Sequence, residues 1–322
     1  IMKKILVLGL NFDQLPYIKV LKNLNYIIVG VDRNQNSPGS KYCNFFLNSS
    51  YTNIRAINLF LKKINFFKKD LIFTAASQTA FISLSKISKK WCIKFLSIKT
   101  VTSCIDKKKM NDLLQRFDIP IAKTIYVKDF TGIRVDKKKI YYLKSDYGKS
   151  PKYCFRIKNA KFPILPQKDD FFKRYFLLQE KFSGTHYRAN VIRGNFFIFK
   201  KIKNKNIPIL SFDFHSDEIK KKLKNFLSSL ELKKFLIKFD IIVNKKIWCV
   251  IDIGFDPPKR LENILIYKKI NFYKAYVYNW IDKKNLFENI KTNSFANLEI
   301  SIKKNGNTTI VNRKSNFENS CN

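Results

Sequence analysis

Apolar residues open the chain in short runs that alternate with helical stripes. Ile5–Leu8 is an apolar run closed by Gly9, the pattern of a buried parallel strand. From Leu15 to Leu24 apolar residues recur at 15, 18, 20, 21 and 24, a spacing that predicts a helix. Ile27–Val31 gives a second strand ending at Asp32, Leu71–Phe73 another, and Phe81–Ile87 a helix behind it. Strands alternating with helices need right-handed crossovers, so residues 1–100 are expected to form a doubly wound parallel sheet.

Beyond residue 100 the pattern changes. Asp106 is a natural N-cap, Met110, Leu113, Leu114 and Phe117 form one apolar stripe, and Pro120 bars continuation. Further on, Ile140–Leu143, Tyr175–Leu178, Tyr187–Ile192, Asn195–Phe199, Phe239–Val243 and Trp248–Ile253 read as strands, with a helix over Asp217–Phe226. That helix carries Asp217 and Glu218 in its first turn and Lys220, Lys221, Lys222 and Lys224 later, in accord with its dipole. The second part is therefore α+β with antiparallel hairpins. After residue 284 the chain turns polar, and Asn305-Gly306 predicts a type I′ turn between Leu298–Lys303 and Thr308–Val311.

Composition sharpens this picture. The 322 residues hold 45% hydrophobic and 15% aromatic residues, which excludes wholesale disorder. Lys and Arg number 63 against 24 Asp and Glu, a formal charge of +39, which invites a nucleic-acid or polyanion partner. The lysines are spread along the chain in runs such as 107–109, 137–139 and 220–222, with no recognised binding motif beside them. Only 9 residues are Gly, while Phe, Tyr, Ile, Asn and Lys abound, as A/T-rich codon usage produces, so the charge is read mostly as composition. No apolar run approaches the roughly 20 residues that span a bilayer. The segment after Met2-Lys3-Lys4 is cut short by Asn11, Asp13 and Gln14, unlike a signal peptide, and the chain reads as cytoplasmic. None of the six Cys forms a CxxC pair, and Cys92, Cys154 and Cys249 are expected to be buried free thiols. Asp32 stands where a dinucleotide fold places its ribose-binding acid, but the loop from Gly9 holds Asn11 and Gln14 in place of further glycines, which argues against NAD or FAD.

Five segments together resemble the ATP-grasp superfamily of carboxylate–amine ligases, the carbamoyl-phosphate-synthase and purine-carboxylase type. The opening strand, Gly9, Gln14-Leu15-Pro16, helix and Val31-Asp32-Arg33-Asn34 are similar to its amino-terminal domain, with Pro38-Gly39 and Cys43–Phe46 similar to the turn that follows. Asp106-Lys107…Leu113-Leu114…Ile119-Pro120 resembles its "Asp-Lys…Leu-Leu…Gly-Ile-Pro" segment, with Asp118 in place of the glycine. Tyr141-Tyr142-Leu143-Lys144…Gly148-Lys149-Ser150 resembles the strand and phosphate loop, and Gln179-Glu180-Lys181-Phe182-Ser183-Gly184 the hinge that reads adenine. Phe239-Asp240-Ile241 and Ile251-Asp252-Ile253-Gly254 resemble the strands that carry magnesium acids.

The resemblance implies an α/β protein: a doubly wound pre-ATP-grasp domain (1–100), an α+β ATP-grasp domain of two subdomains (101–284), and a C-terminal β-hairpin and tail (285–322). It also implies ATP and Mg²⁺. Lys107 and Lys144 would meet phosphates, Gly148 and Ser150 would cradle them with backbone amides, and Gln179, Glu180 and Phe182 would line the adenine site. His186 falls where relatives place a ribose contact, with a structural histidine as the rival reading, and His215 is read as structural. Asp240 and Asp252 would hold the metal. Where the family has Glu-x-Asn-x-Arg, this chain has Asp252-Ile253-Gly254-Phe255-Asp256, so Asp256 is a candidate third ligand, with Arg260 and Lys149 as candidate catalytic charges.

The implied reaction is ATP-dependent activation of a carboxylate as an acyl phosphate, attacked by an amine or similar nucleophile. The alternatives are a nucleotide-binding but inactive relative, or a basic nucleic-acid binder. The expected partners are ATP, a small carboxylate and an amine acceptor, with no membrane; a homodimer is left open.

Overall fold

The computed structural model describes residues 2–128, 133–145, 154–162, 176–202, 205–290, 295, 298–302 and 308–312. Strands β1 (Lys4–Leu8), β2 (Ile27–Asp32), β3 (Phe45–Asn48) and β4 (Leu71–Thr74) form a parallel sheet in the order β3-β2-β1-β4. Helices α1 (Leu15–Asn23) and α2 (Ile54–Lys63) connect β1 to β2 and β3 to β4, and α3 (Gln78–Trp91) follows β4. The two-residue period of β1 sorts the packing. Leu6 and Leu8 meet α2 and α3 through Ile57, Leu61, Leu84 and Ile87, while Ile5 and Val7 face the other way. Asp32, the acid that mimicked a ribose ligand, accepts from the backbone N–H of Leu10 at 2.8 Å and of Asn34 at 2.9 Å. Its carboxylate closes its own loop.

Helices α4 (Ile98–Ile105) and α5 (Lys107–Arg116) share Asp106, which ends the first and caps the second by accepting from Lys109 N–H at 3.0 Å. Asp118, just past α5, lies at φ +51°, the left-handed region that favours glycine, so the position where the resembled segment has Gly keeps the glycine conformation. Asp118→Gly is therefore expected to raise stability by about 1 kcal/mol, seen as a higher melting temperature. A lower one would mean that the aspartate makes a compensating contact.

Two antiparallel sheets follow. The smaller joins β5 (Thr124–Val127), β6 (Ile140–Ser145), β7 (Cys154–Lys158) and β8 (Phe176–Glu180) in the order β5-β8-β6-β7. The larger adds β9 (Thr185–Ile192), β10 (Asn195–Ile202), β11 (Lys205–Ile209), β12 (Ile237–Val243), β13 (Trp248–Gly254), β14 (Leu298–Ile302) and β15 (Thr308–Asn312). Its order is β13-β12-β9-β10-β11-β14-β15, so the C-terminal hairpin extends this sheet at its β11 edge; the Asn305-Gly306 turn lies outside the described residues. Helix α6 (Ser216–Ser229) covers one face, burying Tyr187, Ala189, Phe239 and Ile241 against Ile219, Leu223 and Phe226. On the other side, α7 (Lys259–Tyr267) and α8 (Phe272–Trp280) pack against Phe197 and Phe199 and against Ile5, Val7 and Phe73 of the first sheet. One core thus spans both parts of the chain, and Trp280 Nε1 donates to the Ile72 carbonyl at 2.7 Å across it.

Two cysteine expectations are corrected. Cys249 is buried, but Cys92 and Cys154 are exposed, because Cys92 ends α3 and Cys154 starts the edge strand β7. Among the described residues no helix is long and apolar enough to cross a membrane.

Candidate active site

Alternation along β9 and β12 builds a polar surface opposite the α6 core. His186 and Arg188 on β9 lie beside Ile242 and Asp240 on β12, while Tyr187, Ala189, Phe239 and Ile241 turn into the core. On β13 a simple two-residue period would place Asp252 with Trp248 and Val250, inside that core. A register shift between Asp240 and Ile241 prevents this: Ile241 pairs with Val250 and Asp240 with Asp252, so Ile251 is an extra residue. This bulge sets Asp252 directly across from Asp240.

Asp240 is 9% exposed and accepts two 2.7 Å hydrogen bonds from Arg188, through Nε and Nη2. His186 Nε2 lies 3.5 Å from the same carboxylate, without hydrogen-bond geometry. Burial works against ionisation of Asp240, and His186 and Arg188 overcome it, holding its carboxyl well below the usual carboxylate range. Asp252 receives Lys107 Nζ at 2.7 Å. Lys107 reaches it because the chain after α5 lies against β13, with Val250 N–H donating to the Pro120 carbonyl at 2.9 Å.

From the smaller sheet Lys144 enters the same region, donating to Gln179 Oε1 at 2.7 Å, while Gln179 Nε2 donates to Thr124 Oγ1 at 3.2 Å. Burial and the neighbouring Lys107 lower the Lys144 pKa, so two lysines converge on one spot. Glu180 accepts from Lys139 Nζ at 2.9 Å, which turns it away from this convergence. Phe182 is half-buried in the segment between β8 and β9. Gly184 ends that segment where a Cβ would meet the Val243 carbonyl oxygen at 2.5 Å, so the chain comes closer to β12 than a side chain allows.

From α7, Arg260 adds a guanidinium whose Nε is buried without a partner among the described residues. Burial and the adjacent Arg188 push it down to about 10, against the pull of Asp240, and it stays charged at neutral pH. Asp256 accepts from Lys238 Nζ through both oxygens at 2.9 Å and feels Arg188 as well. Beside this cluster a cavity of about 840 Å³ opens at the C-terminal ends of β1, β2 and β4, bordered by Gly9, Asp32, Ser77, Asp256, Lys259 and Glu262. Gly148, Lys149 and Ser150 lie outside the described residues. His215, at φ +56°, precedes α6 with Nδ1 3.7 Å from Glu218 and belongs to that helix start.

No known family's sequence profile matches this chain, and no curated protein does. Solved structures do match. L-amino acid ligase from Bacillus licheniformis superposes with a TM-score of 0.67 at 13% identity, over 93% of this chain and 79% of that one. N5-carboxyaminoimidazole synthetase from Staphylococcus aureus, complexed with ADP, gives 0.66 at 17% identity over 88% and 78%. Phosphoribosylglycinamide synthetase from Anaerococcus prevotii gives 0.60 at 17% over 93% and 80%. This chain shares its fold with these ligases and synthetases.

Arg188 and Lys238 belong to this cluster without any motif to mark them. Their signal is parity: each occupies a strand position whose neighbours along the chain are apolar, Tyr187 and Ala189 for one, Ile237 and Phe239 for the other.

Proposed function

We propose that this chain is an ATP-dependent carboxylate–amine ligase: ATP phosphorylates a small carboxylate, and an amine or similar nucleophile displaces phosphate from the acyl phosphate. The observation that carries the reading is that Lys107, bonded to Asp252, and Lys144, bonded to Gln179, are near enough to act on each other's charge, which brings α5, the larger sheet and the smaller sheet together there. Lys107 and Lys144 would bind phosphate oxygens, Gln179, Glu180 and Phe182 would flank the adenine, and His186 would lie towards the ribose. Gly148, Lys149 and Ser150 are proposed to complete the phosphate site, and Arg260 would stabilise charge on the transferring group. The cavity beside Asp256 is proposed for the carboxylate and its acceptor, and divisions at 100 and 284 remain part of the reading.

The donors fit a divalent ion only in part. Asp240 and Asp252 face each other and supply hard oxygens, as Mg²⁺ prefers, with phosphates completing its shell. Among the described residues no group of three His, Cys, Asp or Glu side chains is placed to hold a metal, and Asp256 is engaged by Lys238. Asp240 and Asp252 are therefore the residues proposed to hold Mg²⁺, which when bound would neutralise developing phosphate charge.

Mg-ATP at about 100 times its Kd is expected to stabilise the chain by about 2.7 kcal/mol, and Asp252→Ala to remove that gain. A melting curve unmoved by millimolar Mg-ATP would sink the proposal. With candidate carboxylates, hydroxylamine should trap the acyl phosphate as a hydroxamate; ATP binding without any trapped product would favour an inactive relative. Nucleic-acid binding that survives physiological salt would favour the polyanion reading instead.

A further inference from the structure

Three carboxylates surround the Arg188 guanidinium, and they are not equally open. Asp240 is held by Arg188 and nearly buried. Asp256 takes both of its 2.9 Å bonds from one ammonium, that of Lys238. Asp252 gives Oδ1 to Lys107, and its side chain is 38% exposed.

Lys238 reaches Asp256 by crossing over Gly254, its partner in the β12–β13 register. A Cβ at position 254 would meet Lys238 Cε at 2.7 Å, Lys238 Nζ at 3.3 Å and Asp256 Oδ1 at 3.0 Å. Any residue larger than glycine at 254 would force the end of the Lys238 side chain to shift. Two residues after Asp252, a side chain is missing and a positive charge fills its space. The Lys238 side chain is 14% exposed. A lysine ammonium has three N–H donors, and Asp256 uses two, leaving one without a partner among the described residues and open to an incoming oxygen.

The local charge balance points the same way. Five fixed cations (Arg188, Lys238, Lys107, Lys144 and Arg260) stand against three carboxylates, an excess of 5 − 3 = +2. A triphosphate carries about four negative charges near neutral pH. One divalent cation completes neutrality; a second would leave the site positive and would need ligands that Lys238 already occupies.

We infer, building on the nucleotide-site reading above, that this site binds a nucleoside triphosphate with a single divalent cation, and that the Lys238 ammonium takes the place of a second. Lys238 is thus a phosphate-binding residue, and Asp256 positions it.

The full chain, saturated with a non-hydrolysable ATP analogue, is titrated with Mn²⁺; bound ion is counted by electron paramagnetic resonance and nucleotide affinity measured by calorimetry. One Mn²⁺ per complex is expected. Lys238→Met is expected to weaken nucleotide binding about tenfold at one equivalent of Mn²⁺, the loss of one charge-assisted hydrogen bond. Two Mn²⁺ per wild-type complex overturns the inference and leaves the nucleotide site standing; that count needs no variant to fold. Unchanged affinity in a folded Lys238→Met also overturns it. If wild-type protein binds no nucleotide with or without Mn²⁺, the nucleotide site fails first and this inference falls with it.

Discussion

Replacing Arg188 with methionine is expected to cost the fold about 3–5 kcal/mol at neutral pH, because it strands a buried carboxylate. Both Asp240 oxygens are bonded to this guanidinium, and methionine fills similar space without donating a hydrogen bond. The pH dependence distinguishes this cause from simple loss of packing. In the wild type the Asp240 carboxyl sits below its ordinary value of 3.8. Its contribution is therefore complete above pH about 4 and is lost as pH falls through the lower folded value. In Arg188→Met burial is opposed by His186 alone, and the folded carboxyl is expected to rise above the unfolded one. The variant should then gain stability as pH falls from 7 towards 5. Urea denaturation at the two pH values checks this: the gap between wild type and variant should shrink at pH 5. A gap of equal size would show that Arg188 acts by packing alone. Substituting Asp240→Leu into the Arg188→Met background should recover most of the loss, since a dry apolar pair replaces a bare charge.

The same residues mark what can be read from a linear sequence. The parity of Tyr187–Ile192 and Ile237–Val243 names the buried face directly, and hence the polar one. Asp118 carries the glycine-like turn even though it is not glycine, because a short acidic side chain tolerates the left-handed region. Asp252 is different. Counting in twos from Trp248 sends it into the core, and only the extra Ile251 brings it across from Asp240. A bulge of one residue leaves no compositional trace. Ion pairs between distant positions are equally silent: Lys107 and Asp252 are 145 residues apart, and their meeting follows from the segment after α5 lying against β13. Helices α7 and α8 escape the strand-based reading of the second part because they interrupt a strand-rich stretch and α8 is rich in aromatic residues, which strands also favour. Their burial against the first sheet, through Tyr17, Phe272 and Tyr276, overrides that preference.

Arg260→Met is expected to move stability and activity in opposite directions. The arginine is disfavoured where it stands: burial and Arg188 push its pKa down to about 10, and its Nε has no partner among the described residues. A base whose folded pKa is depressed costs the fold at every pH where it is charged, and that cost fades only as pH rises through the folded value. At pH 7 the full cost is present. After allowance for solvent screening it is about 1 kcal/mol, so the methionine variant should melt slightly higher than wild type. A cation kept at a loss in the empty protein gains its partner when an anion arrives. If that anion is the transferring phosphoryl group, methionine removes charge stabilisation at the moment it is needed, and ADP formation should fall about 10²–10³-fold. Steady-state rates and melting curves on the same preparation read both effects. A variant that melts lower and loses activity in proportion would make Arg260 a structural arginine, and one that keeps full activity would remove it from the phosphoryl site.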